Sequence, residues 1–140
     1  DRAAGYWVAT NSEAGGGTNN DKIMTPRRTA FSIDANQAVK AWVNFDGANG
    51  AIRAAHNVSS VVRNGQGNFA VNLATSMGDT NYATSGTVGV DSPTAAVASL
   101  CPDPSNSTAT SVAVRCGYTN QGTGGFLAID PKVVSVQVTR

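Results

Sequence analysis

The sequence predicts an all-β fold: a small antiparallel β-sandwich or partly open barrel of about seven strands, preceded by a short irregular or helical leading segment. From Val39 onward, apolar residues alternate with polar ones, which is the period of a strand with one buried face. Pairs such as Asp46–Gly47 and Asn49–Gly50 supply turn residues between these runs. No run carries the period of a long helix. We therefore place a leading segment at residues 1–38 and a β-sandwich domain at residues 39–140.

The alternation and the turn signals predict a series of short strands. They are expected at residues 39–45, 51–57, 58–63, 68–73, 82–90, 95–101, 111–118 and 133–138. In the strand that begins at Val58, we expect Val58, Ser60 and Val62 to share one face. In the leading segment, Ser12–Glu13–Ala14 can begin a helical turn, which we expect to end at once at the glycines that follow.

Charge is sparse, since charged residues make up 14% of the chain and the net charge is +1. Only Arg27 and Arg28 are adjacent among the basic residues. No basic face for nucleic acid is therefore predicted, because phosphate contacts supply most of that affinity. No apolar run approaches the roughly 20 residues of a membrane-spanning helix. The chain begins at Asp1, not Met, so we expect a processed product or the end of a longer chain.

Residues suited to catalysis are few. Glu13 is the only glutamate, and His56 is the only histidine. Five aspartates lie beside turn residues, where carboxylates usually accept hydrogen bonds from nearby backbone. They are Asp46, Asp79, Asp91, Asp103 and Asp130. A lone strand histidine is expected at the surface or at a subunit contact. The sequence therefore predicts no catalytic residue, no metal site and no cofactor.

Cys101 and Cys116 are the two thiols of the chain. A zinc site is not predicted, because no histidine or further cysteine lies nearby. If residues 96–101 and 111–116 form a hairpin, Cys116 lies opposite Ala96, which argues against a bridge to Cys101. An intrachain disulfide, buried free thiols and a bridge between subunits all stay open.

Three aromatic residues are candidates for contact with a ligand or another subunit. Trp42 lies on the face of its strand opposite Val43 and Phe45, so it either packs against another subunit or offers a stacking surface for a sugar. Tyr118 and Phe126 flank a glycine-rich loop and are candidate ligand contacts.

Three segments resemble parts of bacteriophage tail-fibre and tail-appendage proteins. Residues 9–14, ATNSEA, and 17–29, GTNNDKIMTPRRT, resemble an EA..GTN..K.MTP..T element that recurs in fibre stems and just before fibre tips. Residues 40–47, KAWVNFDG, with further matching positions as far as Tyr82, are similar to the start of a family of small phage-encoded appendage domains. Residues 130–138, DPKVVSVQV, are similar to the terminal strand of that family.

The resemblance implies a homotrimeric structural protein of the virion, the outer end of a tail fibre or surface appendage, assembled in the host cytoplasm. Residues 1–38 then form an oligomerisation stem, and residues 39–140 form a tip that attaches to the host surface. The expected partners are copies of the chain, other virion or tail proteins, and a host-surface glycan or protein. The alternative is a head-decorating or tail-stabilising protein that binds no receptor.

Two sets of residues follow from that implied arrangement. The expected oligomer interface comprises Met24, Pro26, Phe31 and Trp42. The expected receptor contacts are Tyr118, Phe126, Asn106 and Asn120, on loops at residues 102–110 and 119–126 that we expect to face the host.

Overall fold

A computed structural model of the chain describes residues 2–3, 6–16, 22–23, 26–27, 29, 39–91, 97–119, 122 and 124–140. The backbone divides into two units, Asp1–Ala38 and Val39–Arg140. The predicted Met24, Phe31 and Asn120 contacts lie outside the described residues.

The described residues of the first unit include three very short strands and a six-residue helix. The strands are β1 (Arg2–Ala3), β2 (Tyr6–Val8) and β3 (Lys22–Ile23), and the helix is α1 (Asn11–Gly16). Strand β2 is central, antiparallel to β1 and parallel to β3.

Helix α1 begins with a capping box. The Thr10 hydroxyl accepts a hydrogen bond from the Glu13 N–H (3.3 Å), and the Glu13 carboxylate accepts one from the Thr10 N–H (2.8 Å). This reciprocal pair satisfies N–H groups that have no partner within the first turn. The helix forms where the sequence predicts a turn, but it continues through Gly15 to Gly16 instead of ending at the first glycine. Glu13, the only glutamate, therefore has a structural role.

The second unit is a β-sandwich of two antiparallel sheets, which confirms the predicted all-β fold. Its nine described strands are β4 (Val39–Phe45), β5 (Ile52–His56), β6 (Val58–Gly65), β7 (Asn68–Leu73), β8 (Ala83–Gly89), β9 (Ser99–Pro102), β10 (Ser111–Thr119), β11 (Phe126–Ala128) and β12 (Val133–Thr139). One sheet has the order β5-β4-β12-β8, and the other contains β6, β7, β10, β9 and β11. Strand β11 was not predicted.

Strand β10 is the centre of the five-stranded sheet. Gly117 pairs with Ala128 of β11 on one edge and with Ser99 of β9 on the other. The first part of β10 pairs with β7, which in turn pairs with β6. Strands β7 and β11 therefore follow one another along the same edge of β10.

The core lies between the inward faces of the four central strands. It is formed by Ala41, Val43 and Phe45 of β4, Phe69, Val71 and Leu73 of β7, Val112, Val114 and Cys116 of β10, and Val134, Val136 and Val138 of β12. Phe45 and Phe69 meet edge to face between the sheets, with ring centroids 5.1 Å apart. Full burial of a large apolar side chain stabilises the folded state by about 1.5–3 kcal/mol. The inward side chains of these four strands therefore supply most of the burial that holds the two sheets together.

Strand β6 corrects one prediction. The pairing of β6 with β7 shifts register between Val58 and Ser60. After the shift, Val61 pairs with the buried Val71 and packs against the core, whereas Val62 is 45% exposed. The expectation that Val58, Ser60 and Val62 share a face is therefore wrong, because an irregularity of one residue reverses the alternation.

Asn57 forms the corner at which the chain leaves one sheet and enters the other. It lies between β5 and β6 and adopts a φ of 53°, a left-handed conformation that asparagine tolerates better than most residues. Its side-chain amide donates to the Lys40 carbonyl (3.0 Å) and accepts from the Thr75 N–H (2.8 Å). Its own carbonyl accepts from the Ala74 N–H. One residue thus connects β4, the corner and the segment after β7.

We expect Asn57→Ala to lower the free energy of unfolding by about 3 kcal/mol, because it removes the side-chain hydrogen bonds to Lys40 and Thr75 and strains the left-handed backbone. Asn57→Gly should cost about 2 kcal/mol, because glycine keeps the conformation and loses only the bonds. Urea unfolding measures both values. The exposed Asn64→Ala is the control, and an equal loss in Asn57→Ala and Asn64→Ala would contradict this role.

Candidate functional site

The outward face of the four-stranded sheet carries two rows of side chains in register. The first row is Trp42, Gln137 and Ser85, and the second is Asn44, Ser135 and Thr87. In each row the β12 residue lies between a residue of β4 and one of β8. Directly opposed side chains of antiparallel strands share a face, so the six form one continuous surface, here called the Trp42 groove.

The alternation of β4 places Trp42 on this surface. Its neighbours Ala41 and Val43 are buried in the core, whereas Trp42 is 40% exposed. The groove has a volume of about 570 Å³, and Val43, Gly86 and Val136 complete its lining. Because both valine side chains are buried, these residues contribute mainly backbone to the floor. The groove is thus an aromatic ring beside a polar patch.

Most of the polar groups in the groove are free to bind. The Asn44 amide donates to the Ser135 hydroxyl at 2.8 Å. Within the described residues, the side chains of Ser85, Thr87 and Gln137 and the indole N–H of Trp42 make no hydrogen bond in the protein. None of these residues was predicted as a functional one except Trp42, since the others read simply as solvent-facing strand positions.

The lining of the groove carries no titratable side chain among its described residues. His56 is the nearest such residue by register: it lies opposite Trp42 on the neighbouring edge strand β5 and is exposed. This agrees with the surface position expected for a lone strand histidine. The groove therefore offers hydrogen bonds and an aromatic face, without an acid or base among its lining groups.

The five aspartates singled out in the sequence each pair with a basic side chain. The pairs are Asp46 with Arg53 (2.9 Å), Asp79 with Arg140 (2.9 Å), Asp91 with Lys132 (2.7 Å), Asp103 with Arg115 (2.8 Å) and Asp130 with Arg63 (2.6 Å). Asp46 and Asp79 also accept from the backbone two residues on, as turn chemistry predicts. The sequence showed scattered basic residues but not their partners.

The carboxylate of Asp130 accepts hydrogen bonds from two residues, Arg63 and Gly67. Arg63 donates to both carboxylate oxygens, and the Gly67 N–H donates to one of them at 2.9 Å. The hydrogen bonds from Arg63 are the main reason that the pKa of Asp130 lies below its ordinary value. Gly67 has a φ of 62°, and a Cβ there would collide with the backbone of Cys116 and Ile129. This network joins the β6–β7 turn to the segment before β12.

Asn106, a predicted receptor contact, supports its own loop. It lies in a 3₁₀ turn at Pro104–Asn106, and its amide donates to Asp103 at 3.0 Å. That hydrogen bond is the largest cause of the lowered pKa of Asp103, to which Arg115 also contributes. Asn106 is exposed, and its contact with a receptor stays a prediction.

Tyr118 and Phe126 lie close in the hairpin of β10 and β11 but point to opposite faces. Tyr118 pairs with Leu127, so Phe126, the next residue, faces the other way. Phe126 is 46% exposed, and its ring lies over Gly117, where a Cβ would meet it. Tyr118 is half-buried on the side of the sheet that bears the core. The two rings therefore do not form one contact surface on this sheet.

The cysteines lie on neighbouring strands but on opposite faces. Cys116 pairs with Leu100, and Cys101 pairs with Arg115. The expected register, with Cys116 opposite Ala96, is therefore wrong, because the β9–β10 pairing is shifted by four residues. Both thiols are free: Cys101 is exposed and Cys116 is fully buried. Burial raises the pKa of Cys116 to about 12.

Pro26, an expected interface residue, is exposed. In the described part of the chain, no cluster of three His, Cys, Asp or Glu side chains is placed to hold a metal ion. Among the same residues, no helix has the length and apolar character needed to cross a bilayer.

Comparison of the chain with known proteins found no matching family model, no matching curated sequence and no matching solved structure.

We expect a thiol reagent at pH 8 to modify Cys101 quickly in the folded protein and to spare Cys116, because Cys101 is exposed whereas Cys116 is buried and burial raises its pKa to about 12. Mass spectrometry counts the labels, and Cys101→Ser should abolish the fast reaction. Equal labelling rates of the two cysteines would contradict the difference in their burial. A protein mass lower by two hydrogens would show a disulfide and contradict two free thiols.

The Asp130 network predicts a loss of stability in acid. Because the pKa of Asp130 is lower in the folded chain, its ionised form stabilises the fold above the unfolded pKa near 3.8, and this contribution disappears as pH falls through the folded pKa. Asp130→Asn should therefore be less stable than the parent at pH 7, with a smaller difference at pH 3.

Urea midpoints at the two pH values measure this difference. Asp91→Asn is the control, because its pair with Lys132 is much more exposed and should matter little at either pH. A difference between Asp130→Asn and the parent that does not change with pH would show that ionisation of Asp130 is not the cause.

Proposed function

We propose that the chain is a non-catalytic attachment module, the outer end of a trimeric bacteriophage tail fibre or surface appendage that contacts a glycan or protein on the host surface. The observation that carries this proposal is the Trp42 groove, an uncharged aromatic surface on the outside of the sandwich. The five turn aspartates are paired with basic residues away from it. Such a surface suits binding, whereas catalysis needs a positioned acid, base, nucleophile or metal.

The resemblance of residues 9–29 to stem elements of phage fibres supports the trimeric assembly. In that arrangement, the first unit joins three chains and three copies of the second unit are presented together. Linked copies raise the overall affinity for a repetitive surface by about 10²–10⁴ without new contacts. A shallow groove that binds weakly is therefore sufficient for attachment.

A head-decorating or tail-stabilising role is the alternative. Phe126 favours it, because this apolar ring is 46% exposed at β11, on the sheet that does not carry the groove. An exposed aromatic ring suits contact with another virion protein.

We expect the full chain to be a trimer by light scattering, and a shortened chain that begins at Val39 to be a monomer, because the first unit makes the trimer contacts. The division of the backbone at this residue makes the shortened chain a reasonable folding unit. A single-chain mass for both would overturn the trimeric fibre and favour a module that docks singly.

Attachment itself is measured with the labelled full chain on a panel of bacterial strains and on phage particles. We expect saturable binding to cells of some strains. Binding to particles and to no strain would overturn host attachment and favour the decorating role.

A further inference from the structure

We propose that the Trp42 groove is a binding site for a neutral oligosaccharide. The inference rests on the proposed attachment function and deepens it by naming the site and the ligand class. It is carried by three features of the groove: an outward aromatic ring, exposed neutral polar side chains beside it that make no hydrogen bond within the described residues, and the lack of charge among its described lining residues.

The indole of Trp42 provides the stacking surface. A sugar ring has a face of C–H groups, which are apolar and weakly positive, and the face of an aromatic ring is negative. Trp42 stands on a central strand, flanked in register by Gln137 on β12 and His56 on β5, so its position is fixed from both sides. Because the indole N–H makes no bond within the described residues, it is also available to a sugar hydroxyl.

The polar side chains beside the ring match the edge of a sugar. Sugar hydroxyls both donate and accept, and the Gln137 amide and the Ser85 and Thr87 hydroxyls do the same. Asn44 donates to Ser135, which orients that hydroxyl and leaves its hydrogen to donate outward. A polyol can satisfy all of these groups at once, which an apolar ligand cannot.

The size and charge of the groove narrow the ligand class. The two rows of the Trp42 groove extend about 10 Å across three strands and about 7 Å along them. This area suits a di- or trisaccharide. Its volume of about 570 Å³ lies in the range of small-molecule sites. Acidic sugars and phosphates are bound chiefly by arginine and lysine, and neither lines the groove. The ligand is therefore a neutral glycan.

A second copy of the chain is the competing occupant, since Trp42 was expected at an oligomer interface. Interface centres are rich in aromatic and apolar side chains, with polar groups at the rim. In the Trp42 groove, five of the six residues of the two rows are Ser, Thr, Asn or Gln. Packing protein over them would leave buried polar groups without partners unless the opposing surface matched each one. The composition favours a polar ligand over a subunit.

The test uses the full chain and a panel of neutral di- and trisaccharides of glucose, galactose, mannose and N-acetylglucosamine, with a sialylated trisaccharide as the acidic probe. Indole N–H resonances in ¹⁵N spectra report binding at the ring, and Trp42→Ala assigns the Trp42 signal. Titration calorimetry gives affinities for the parent, Trp42→Ala, Gln137→Ala and Val62→Ala. Val62→Ala is the control, because it shortens a similarly exposed apolar side chain on the other sheet.

We expect at least one neutral oligosaccharide to shift the Trp42 signal and the acidic probe to bind more weakly. Trp42→Ala should weaken binding about tenfold or more, and Gln137→Ala about threefold to tenfold. Val62→Ala should bind like the parent. Gln137 is exposed, so its variant keeps the test valid even if Trp42→Ala is unstable.

Four results would overturn the inference. They are a panel that leaves the Trp42 signal unmoved, glycan affinity that survives both groove variants, loss of affinity in Val62→Ala alone, and a fall in native mass on Trp42→Ala, which would make Trp42 a subunit contact. If the full chain still binds bacterial cells in any of these cases, attachment stands and only the site fails. If it binds no cells while glycan binding follows the groove variants, the groove stands and host attachment fails.

Discussion

The antiparallel pairing of β4 with β12 is the constraint on which the second unit depends. These are the first and last strands of the unit, and Asn44 reaches Ser135 across 91 positions of sequence. Because side chains alternate along a strand, this one register fixes the buried rows and the outward rows together. A slip of one residue in this register would turn the buried valines Val134, Val136 and Val138 toward solvent. Burial of the core therefore also sets the geometry of the groove.

This arrangement holds the outward residues of the groove in a fixed register. Strand β12 is paired on both edges, with β4 and with β8, and its inward valines are buried. The outward residues are thus held by a core that they do not help to form. A preorganised surface loses less conformational entropy on binding than a mobile loop does. The outward positions can also change without loss of the core, which lets binding specificity vary on a constant fold.

The sequence predicted the central strands well, and their physics explains why. Strands β4, β7, β10 and β12 bury one face each, so apolar residues recur at every second position. Strand β11 is three residues long, which is too short to show a period. In β6 the sequence alternates without interruption, but the register shift reverses which residues face the core. The outward position of Trp42 followed from alternation alone. The other residues of the Trp42 groove could not be predicted in this way, because Ser85, Trp42 and Gln137 become neighbours only through cross-strand register.

The placement of charge explains why the middle of the four-stranded sheet is neutral. The five ion pairs found among the described residues each involve an aspartate in a connection between strands, for example Asp46 after β4 and Asp91 after β8. Charges at the ends of the strands keep the unit hydrated, while the outward rows carry only Trp, Asn, Gln, Ser and Thr. Such a face exerts little electrostatic attraction at long range. Weak, uncharged sites become effective when several copies engage a repetitive surface, so the proposed glycan site agrees with the proposed multimeric assembly.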